Sequence, residues 1–209
     1  MSVVRLLLLA ALTSVFVAPG VASADAPPAD RIVLDVMSVN GSGCPPGTAS
    51  ISVLSDNTGF RVTYREFLAR AGGSADPTDF RKNCQLSLLA HIPQGFTFAI
   101  ASAEYRGRAR LESGASALQR TNYYFQGSPN NHYADHSFTG PLSSIWETRD
   151  VTPVAELVYA PCGEYRNLNV NTELRVDEGS QNANRTSSMS MRSSEGNVDT
   201  IFNFHWKHC

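Results

Sequence analysis

The segment Leu168-Asn169-Val170-Asn171-Thr172-Glu173-Leu174-Arg175-Val176 alternates with a period of two. Leu168, Val170, Leu174 and Val176 fall on one face and Asn169, Asn171, Glu173 and Arg175 on the other, as a strand with one buried and one solvated side requires. The same period recurs at the C-terminus, where Phe202, Phe204 and Trp206 alternate with Asn203, His205 and Lys207. Three aromatics are therefore expected in a core just before Cys209, the last residue.

Working outward, Phe96, Phe98 and Ile100 repeat the pattern after Ile92-Pro93-Gln94-Gly95. Pro and Gly there suit a turn, and the reading is a hairpin of strands 84–92 and 96–106. Further strands are expected near 31–39, 48–55, 59–68, 108–113, 118–126, 154–160 and 185–193. A helical rival exists at Tyr64, Phe67, Leu68 and Ala71, whose spacing allows one helical turn before Gly72-Gly73. Segments 72–83 and 127–152, rich in Gly, Asn, Pro and Asp, read as long loops, and 177–197 as too polar for deep burial. Short strands punctuated by turn residues along the whole chain predict an all-β fold, an antiparallel β-sandwich of jelly-roll-like type.

The N-terminus has the order of a secretory signal: Arg5, an apolar stretch Leu6 to Val17, then Ala22-Ser23-Ala24 before Asp25. Cleavage is expected after Ala24, with residues 25–30 a short leader and 31–209 a single secreted domain. The apolar run is shorter than a bilayer span and Pro19-Gly20 interrupts it, so no membrane anchoring is expected after cleavage. The 185 residues that remain would carry 16 basic and 19 acidic side chains. That balance, with no run of basic residues to offer a basic patch, argues against nucleic acid or an acidic surface as the main partner.

Cys44, Cys84, Cys162 and Cys209 all follow the signal, and an even set in an exported chain reads as two disulfides. Three pairings are possible. The preferred one joins Cys44 to Cys84 and Cys162 to Cys209, tying each end of the chain to its own neighbourhood, each loop contributing about 4 kcal/mol in the chain-entropy description.

The order of landmarks resembles the family of small secreted proteins known as domain of unknown function 4360. The resemblance is carried by Asn40-Gly41-Ser42-Gly43-Cys44-Pro45-Pro46-Gly47-Thr48, Ser55-Asp56-Asn57-Thr58-Gly59-Phe60 and Arg81-Lys82-Asn83-Cys84-Gln85-Leu86. It continues through Pro93-Gln94-Gly95-Phe96, Tyr105-Arg106-Gly107, Tyr123-Tyr124-Phe125-Gln126-Gly127, Gly140-Pro141, Pro161-Cys162-Gly163 and Leu168-Asn169-Val170-Asn171. It implies a secreted, cysteine-containing, β-rich domain and brings no catalytic residue with it.

Chemistry is thinly marked. His132-Tyr133-Ala134-Asp135-His136 has metal-like spacing but reads as polar surface, and His205 and His208 would point to opposite strand faces. No metal site or cofactor is expected. The chain lacks a G-x-S-x-G elbow, and paired cysteines leave no thiol nucleophile. Glu104, Glu112, Glu156, Glu164 and Glu173 are available for a glycan-acting hydrolase, which needs two facing carboxylates. Binding without hydrolysis needs exposed aromatics to stack on sugar rings and neighbouring amides to bond hydroxyls. Tyr124, Tyr133, Trp146 and Asn122 are the candidates, with one of the adjacent Tyr123 and Tyr124 in the core and the other exposed. The leading reading is thus a non-enzymatic extracellular module for carbohydrate or a surface protein. The rivals are the hydrolase and a protein-binding inhibitor or effector acting through 127–152. Asn40-Gly41-Ser42 and Asn184-Arg185-Thr186 match the glycosylation acceptor pattern.

Overall fold

The longest strand, Phe96–Leu111, joins the segment expected at 96–106 to residues 108–111 of the one expected at 108–113. Gly107 does not break it. A Cβ there would lie 1.9 Å from the Ser190 carbonyl oxygen and 2.5 Å from the Trp146 ring, so the position needs glycine because backbone and indole close on it. The computed structural model describes residues 24–130, 132–191 and 199–209. The expected signal at 1–24 lies almost wholly outside them.

Twelve strands are described: β1 Val33–Asn40, β2 Ala49–Val53, β3 Gly59–Tyr64, β4 Leu68–Ala71, β5 Arg81–His91, β6 Phe96–Leu111, β7 Ser116–Phe125, β8 His132–Thr139, β9 Leu142–Val151, β10 Asn167–Asp177, β11 Ser187–Ser190 and β12 Asp199–His208. Sheet A has the order β1-β5-β10-β7-β8, and sheet B the order β2-β3-β12-β6-β11-β4 with β9 also on β6. Every pairing is antiparallel. β9 pairs with 102–111 of β6, overlapping the ranges of both β12 and β11, so those two share the opposite edge of β6. This is the expected all-β sandwich.

The core is what alternation predicted. Phe202, Phe204 and Trp206 of β12 are buried. Phe202 stacks on Phe60 at 4.7 Å and meets Tyr123 of sheet A at 6.3 Å, and Phe98 of β6 meets Phe125 of β7 at 5.3 Å. Leu168, Val170, Leu174 and Val176 line the same interior. The Trp206 indole N–H donates to the Asn57 carbonyl at 2.9 Å, which satisfies its polar atom inside the core.

Cys44–Cys84 and Cys162–Cys209 are the two disulfides, with Cα separations of 5.3 and 5.9 Å. The first is buried. The second lies exposed, where it fastens the end of β12 to the segment before β10. Residues 25–30 are held against the domain rather than loose: Asp25 N–H donates to the Trp206 carbonyl at 3.1 Å, and Asn57 Nδ2 donates to the Pro28 and Asp30 carbonyls at 2.9 Å each.

Five expectations are corrected. The 93–96 turn forms, with Phe96 N–H on the Pro93 carbonyl at 3.3 Å, but β5 and β6 belong to different sheets. It is a corner between layers, not a hairpin. The expected loop 127–152 contains β8 and β9, which also belong to different sheets and turn a second corner at Gly140-Pro141. No helical turn forms at 64–71: Tyr64 and Phe67 are both buried, and 68–71 is strand β4. The strand expected at 154–160 is a single 3-10 turn, Val154–Glu156, followed by irregular chain. Within 177–197, Ser187, Met189 and Met191 are buried, because β11 inserts between β4 and β6.

Candidate functional site

Strand alternation sends Asn169, Asn171, Glu173 and Arg175 of β10 away from the core, and β10 is the middle strand of sheet A. Register then determines which residues stand beside them, because directly opposed residues on paired strands point to the same face. Asn171 is opposite Gln85 on β5 and Asn122 on β7; Gln85 is opposite Asn40 on β1, and Asn122 is opposite Tyr133 on β8. One continuous row therefore crosses all five strands: Asn40, Gln85, Asn171, Asn122, Tyr133. A second runs beside it through Ser38, Ser87, Asn169 and Tyr124. Strands about 4.8 Å apart and row steps of about 6.7 Å make a grid of amides, hydroxyls and two tyrosines.

Hydrogen bonds hold part of this grid in place. Asn171 Nδ2 donates to Asn122 Oδ1 at 3.5 Å, Asn122 Nδ2 to the His132 carbonyl at 3.1 Å, and Asn167 Nδ2 to Ser87 Oγ at 3.1 Å. Along one side, Glu173 is clamped between Arg81 and Arg175, and Arg120 meets Asp135 through two bonds of 2.7 and 2.5 Å. Burial pushes the Glu173 carboxyl up, but the hydrogen bonds and charge of Arg81, joined by Arg175, outweigh it and leave it below the usual value. The Arg120 guanidinium likewise lowers Asp135, and Asp135 raises Arg120. These carboxylates are ionised and structural.

Three of the four expected ligand residues share this face. Tyr133 is 62% exposed, Tyr124 is half-buried with its neighbour Tyr123 in the core, and Asn122 is buried at 7% exposure, its amide engaged by the His132 carbonyl and Asn171, so that it braces the row from below. Trp146 is the correction. It is 4% exposed, on the inner side of β9, packed 5.4 Å from Phe138 and over Gly107, so it offers no ring to solvent. Sequence reasoning missed Asn40, Gln85, Ser87, Arg81 and Arg120. The alternation Arg81, Asn83, Gln85, Ser87 was a readable signal; the register that places it beside β10 was not.

The other candidates disperse. His132 stacks on Tyr123 at 4.8 Å, Asp135 pairs with Arg120, and His136 Nε2 lies 2.5 Å from Asp150 Oδ1. Four of the five glutamates considered for hydrolysis are tied to arginines: Glu104 to Arg149, Glu112 to Arg185, Glu164 to Arg166 and Glu173 to Arg81. A cavity of about 700 Å³ lies at the sandwich end beside Cys162–Cys209 and includes Phe96, Gln94, Tyr165 and Arg166. It holds none of the four expected ligand residues.

Residues 30–209 match the family described as Domain of unknown function (DUF4360). The chain is also similar to an "Uncharacterized secreted protein" of Arthroderma benhamiae, 30% identical over 185 residues, which cover 88% of this chain and 75% of that protein. With both disulfides and every described strand inside the matched region, the chain is a secreted β-sandwich protein that belongs to the DUF4360 family.

Proposed function

We propose that the protein is a non-enzymatic extracellular binding module that takes a polysaccharide across the outer face of sheet A. The observation that carries the reading is the five-strand row Asn40, Gln85, Asn171, Asn122, Tyr133 with Tyr124 beside it. Side-chain amides both donate and accept, as sugar hydroxyls do, and tyrosine rings supply the apolar surface that sugar faces cover. Hydrogen bonds among Asn171, Asn122 and the β8 backbone preorganise part of the row, which lowers the ordering cost of binding. The engagement of four candidate glutamates by arginine favours binding over glycan hydrolysis, where one carboxyl must be free to give up a proton. The arrangement of β8 and β9 within the sheets likewise removes the protruding loop on which an inhibitor reading rested.

The test is a glycan-array and polysaccharide pull-down with the secreted protein, alongside Tyr124→Ala and Tyr133→Ala. Capture of a polysaccharide by the parent and its loss in both variants is the expected result. If no polysaccharide is retained, the reading fails.

A further inference from the structure

Sheet B presents a chemically different surface. On β6 the run Arg106-Gly107-Arg108-Ala109-Arg110 buries Gly107 and Ala109 and sends three arginines outward. Their Cα atoms repeat at about 6.7 Å, twice the rise of a strand. Register adds hydroxyls to the stripe: Arg110 shares a row with Ser188, Ser143 and Arg70, the last neutralised by Asp79 at 2.5 Å, and Arg108 shares the next with Ser190 and Ile145. Glu147 neutralises Arg106 at 3.0 Å and Glu104 neutralises Arg149 at 3.4 Å. Arg108 and Arg110 are exposed and have no acidic partner among the described residues. A depression of about 530 Å³ at one end includes Arg106 and Arg149 with their partners Glu147 and Glu104, and one of about 450 Å³ at the other includes Arg110 and Ser143 beside the Arg185–Glu112 pair. The chain's formal net charge of −2 conceals this local positive surface.

We propose that this face is a second binding surface, for a carboxylate-bearing polysaccharide such as a polyuronate. A guanidinium meets a carboxylate through two parallel N–H donors, and a strand that repeats it at a fixed interval suits a polymer that repeats its charge. Ser143, Ser188 and Ser190 stand beside the arginines to bond sugar hydroxyls. Single-stranded nucleic acid is the other polyanion that fits the charge, but its binding surfaces stack bases on exposed aromatics. The large exposed aromatics, Phe80, Tyr133 and Tyr165, lie off this face among the described residues. The expectation that no basic patch exists was drawn from the linear charge balance, and alternation along one strand is what that balance cannot register.

The experiment measures affinity of the intact secreted protein for polygalacturonate and for poly-dT at low and at physiological ionic strength, together with Arg108→Gln/Arg110→Gln and Tyr124→Ala. Both arginines are exposed, so an unchanged melting temperature is expected of the double variant. The proposal expects polygalacturonate binding that weakens with salt, that falls at least about tenfold in the arginine variant, and that Tyr124→Ala leaves intact. No polygalacturonate binding at low salt overturns it. So does equal binding by the arginine variant, loss in Tyr124→Ala, or poly-dT binding as tight as polygalacturonate. Because the tyrosine and arginine variants lie on opposite sheets, failure here is distinguishable from failure of the sheet A reading.

Discussion

His136 of β8 and Asp150 of β9 join the two sheets: His136 Nε2 lies 2.5 Å from Asp150 Oδ1, across the corner at Gly140-Pro141, and the Asp150 side chain is 2% exposed. Removing His136 would leave the buried Asp150 side chain without its hydrogen-bond partner. His136→Ala is expected to cost about 3 kcal/mol in urea unfolding, whereas Asp135→Asn, in the exposed pair with Arg120, should cost less than about 1 kcal/mol. Equal losses would show that the inter-sheet pair does not hold the corner.

The two disulfides should separate by access. Thiolate attack needs a reachable sulfur, and Cys162–Cys209 is exposed while Cys44–Cys84 is buried. Under native conditions a mild reductant is expected to release the thiols of Cys162 and Cys209 first, as read by alkylation and peptide mapping. Replacing Cys44 and Cys84 together by Ala should lower stability by about 4 kcal/mol. Earlier labelling of Cys44 or Cys84 would contradict this ordering.

Acid should unfold the protein through its paired carboxylates. Glu173, Asp79 and Asp135 all have carboxyls held below their ordinary values, for Glu173 through Arg81 and Arg175 against the opposing effect of burial, for Asp79 through Lys82 and Arg70, and for Asp135 through Arg120. A carboxyl depressed in the folded state contributes stability that is fully present above its unfolded value and is lost as pH falls through the folded one. The melting temperature should therefore be level above about pH 5 and fall below it, with a shallower fall in Glu173→Gln. An unchanged acid limb in that variant would remove Glu173 from the account.

Gly107→Ala tests the close approach of β6, β11 and Trp146. The added methyl would meet the Ser190 carbonyl oxygen at 1.9 Å, a backbone atom held by the β11 ladder. A loss of about 3 kcal/mol is expected, and a neutral substitution would mean that β11 can move aside.

Much of this fold could be read from period-two alternation wherever one face is apolar. Leu168 to Val176 and Phe202 to Trp206 are clear because each apolar side chain enters the core. β8 is hidden by the same rule: its inward positions include His132 and His136, whose polar atoms are accommodated by ring stacking on Tyr123 and by Asp150, so the segment has no apolar stripe. The turn at Pro93-Gln94-Gly95 shows that the chain reverses but cannot show that it changes sheet, because the local geometry of a hairpin and a corner is alike. Tyr123 and Tyr124 were legible as one buried and one outward ring, with Asn122 only as a nearby amide, and Tyr133 was legible as an aromatic beside asparagines. Trp146 was misplaced because exposure was inferred from a supposed loop, and β9 puts it inside. Asn40 and Gln85 came to the site through pairings between residues far apart in sequence, for which no local pattern exists.

The central claim is that the outer face of sheet A is a binding surface. Its most direct test is the dissociation constant of the secreted protein for the polysaccharide retained in the pull-down, compared with Tyr124→Ala/Tyr133→Ala and with Arg108→Gln/Arg110→Gln. A loss of at least about tenfold in the tyrosine variant, equivalent to about 1.4 kcal/mol, is predicted, with a neutral polysaccharide bound unchanged by the arginine variant. Undiminished binding by the tyrosine variant, with its melting temperature intact, would contradict the claim.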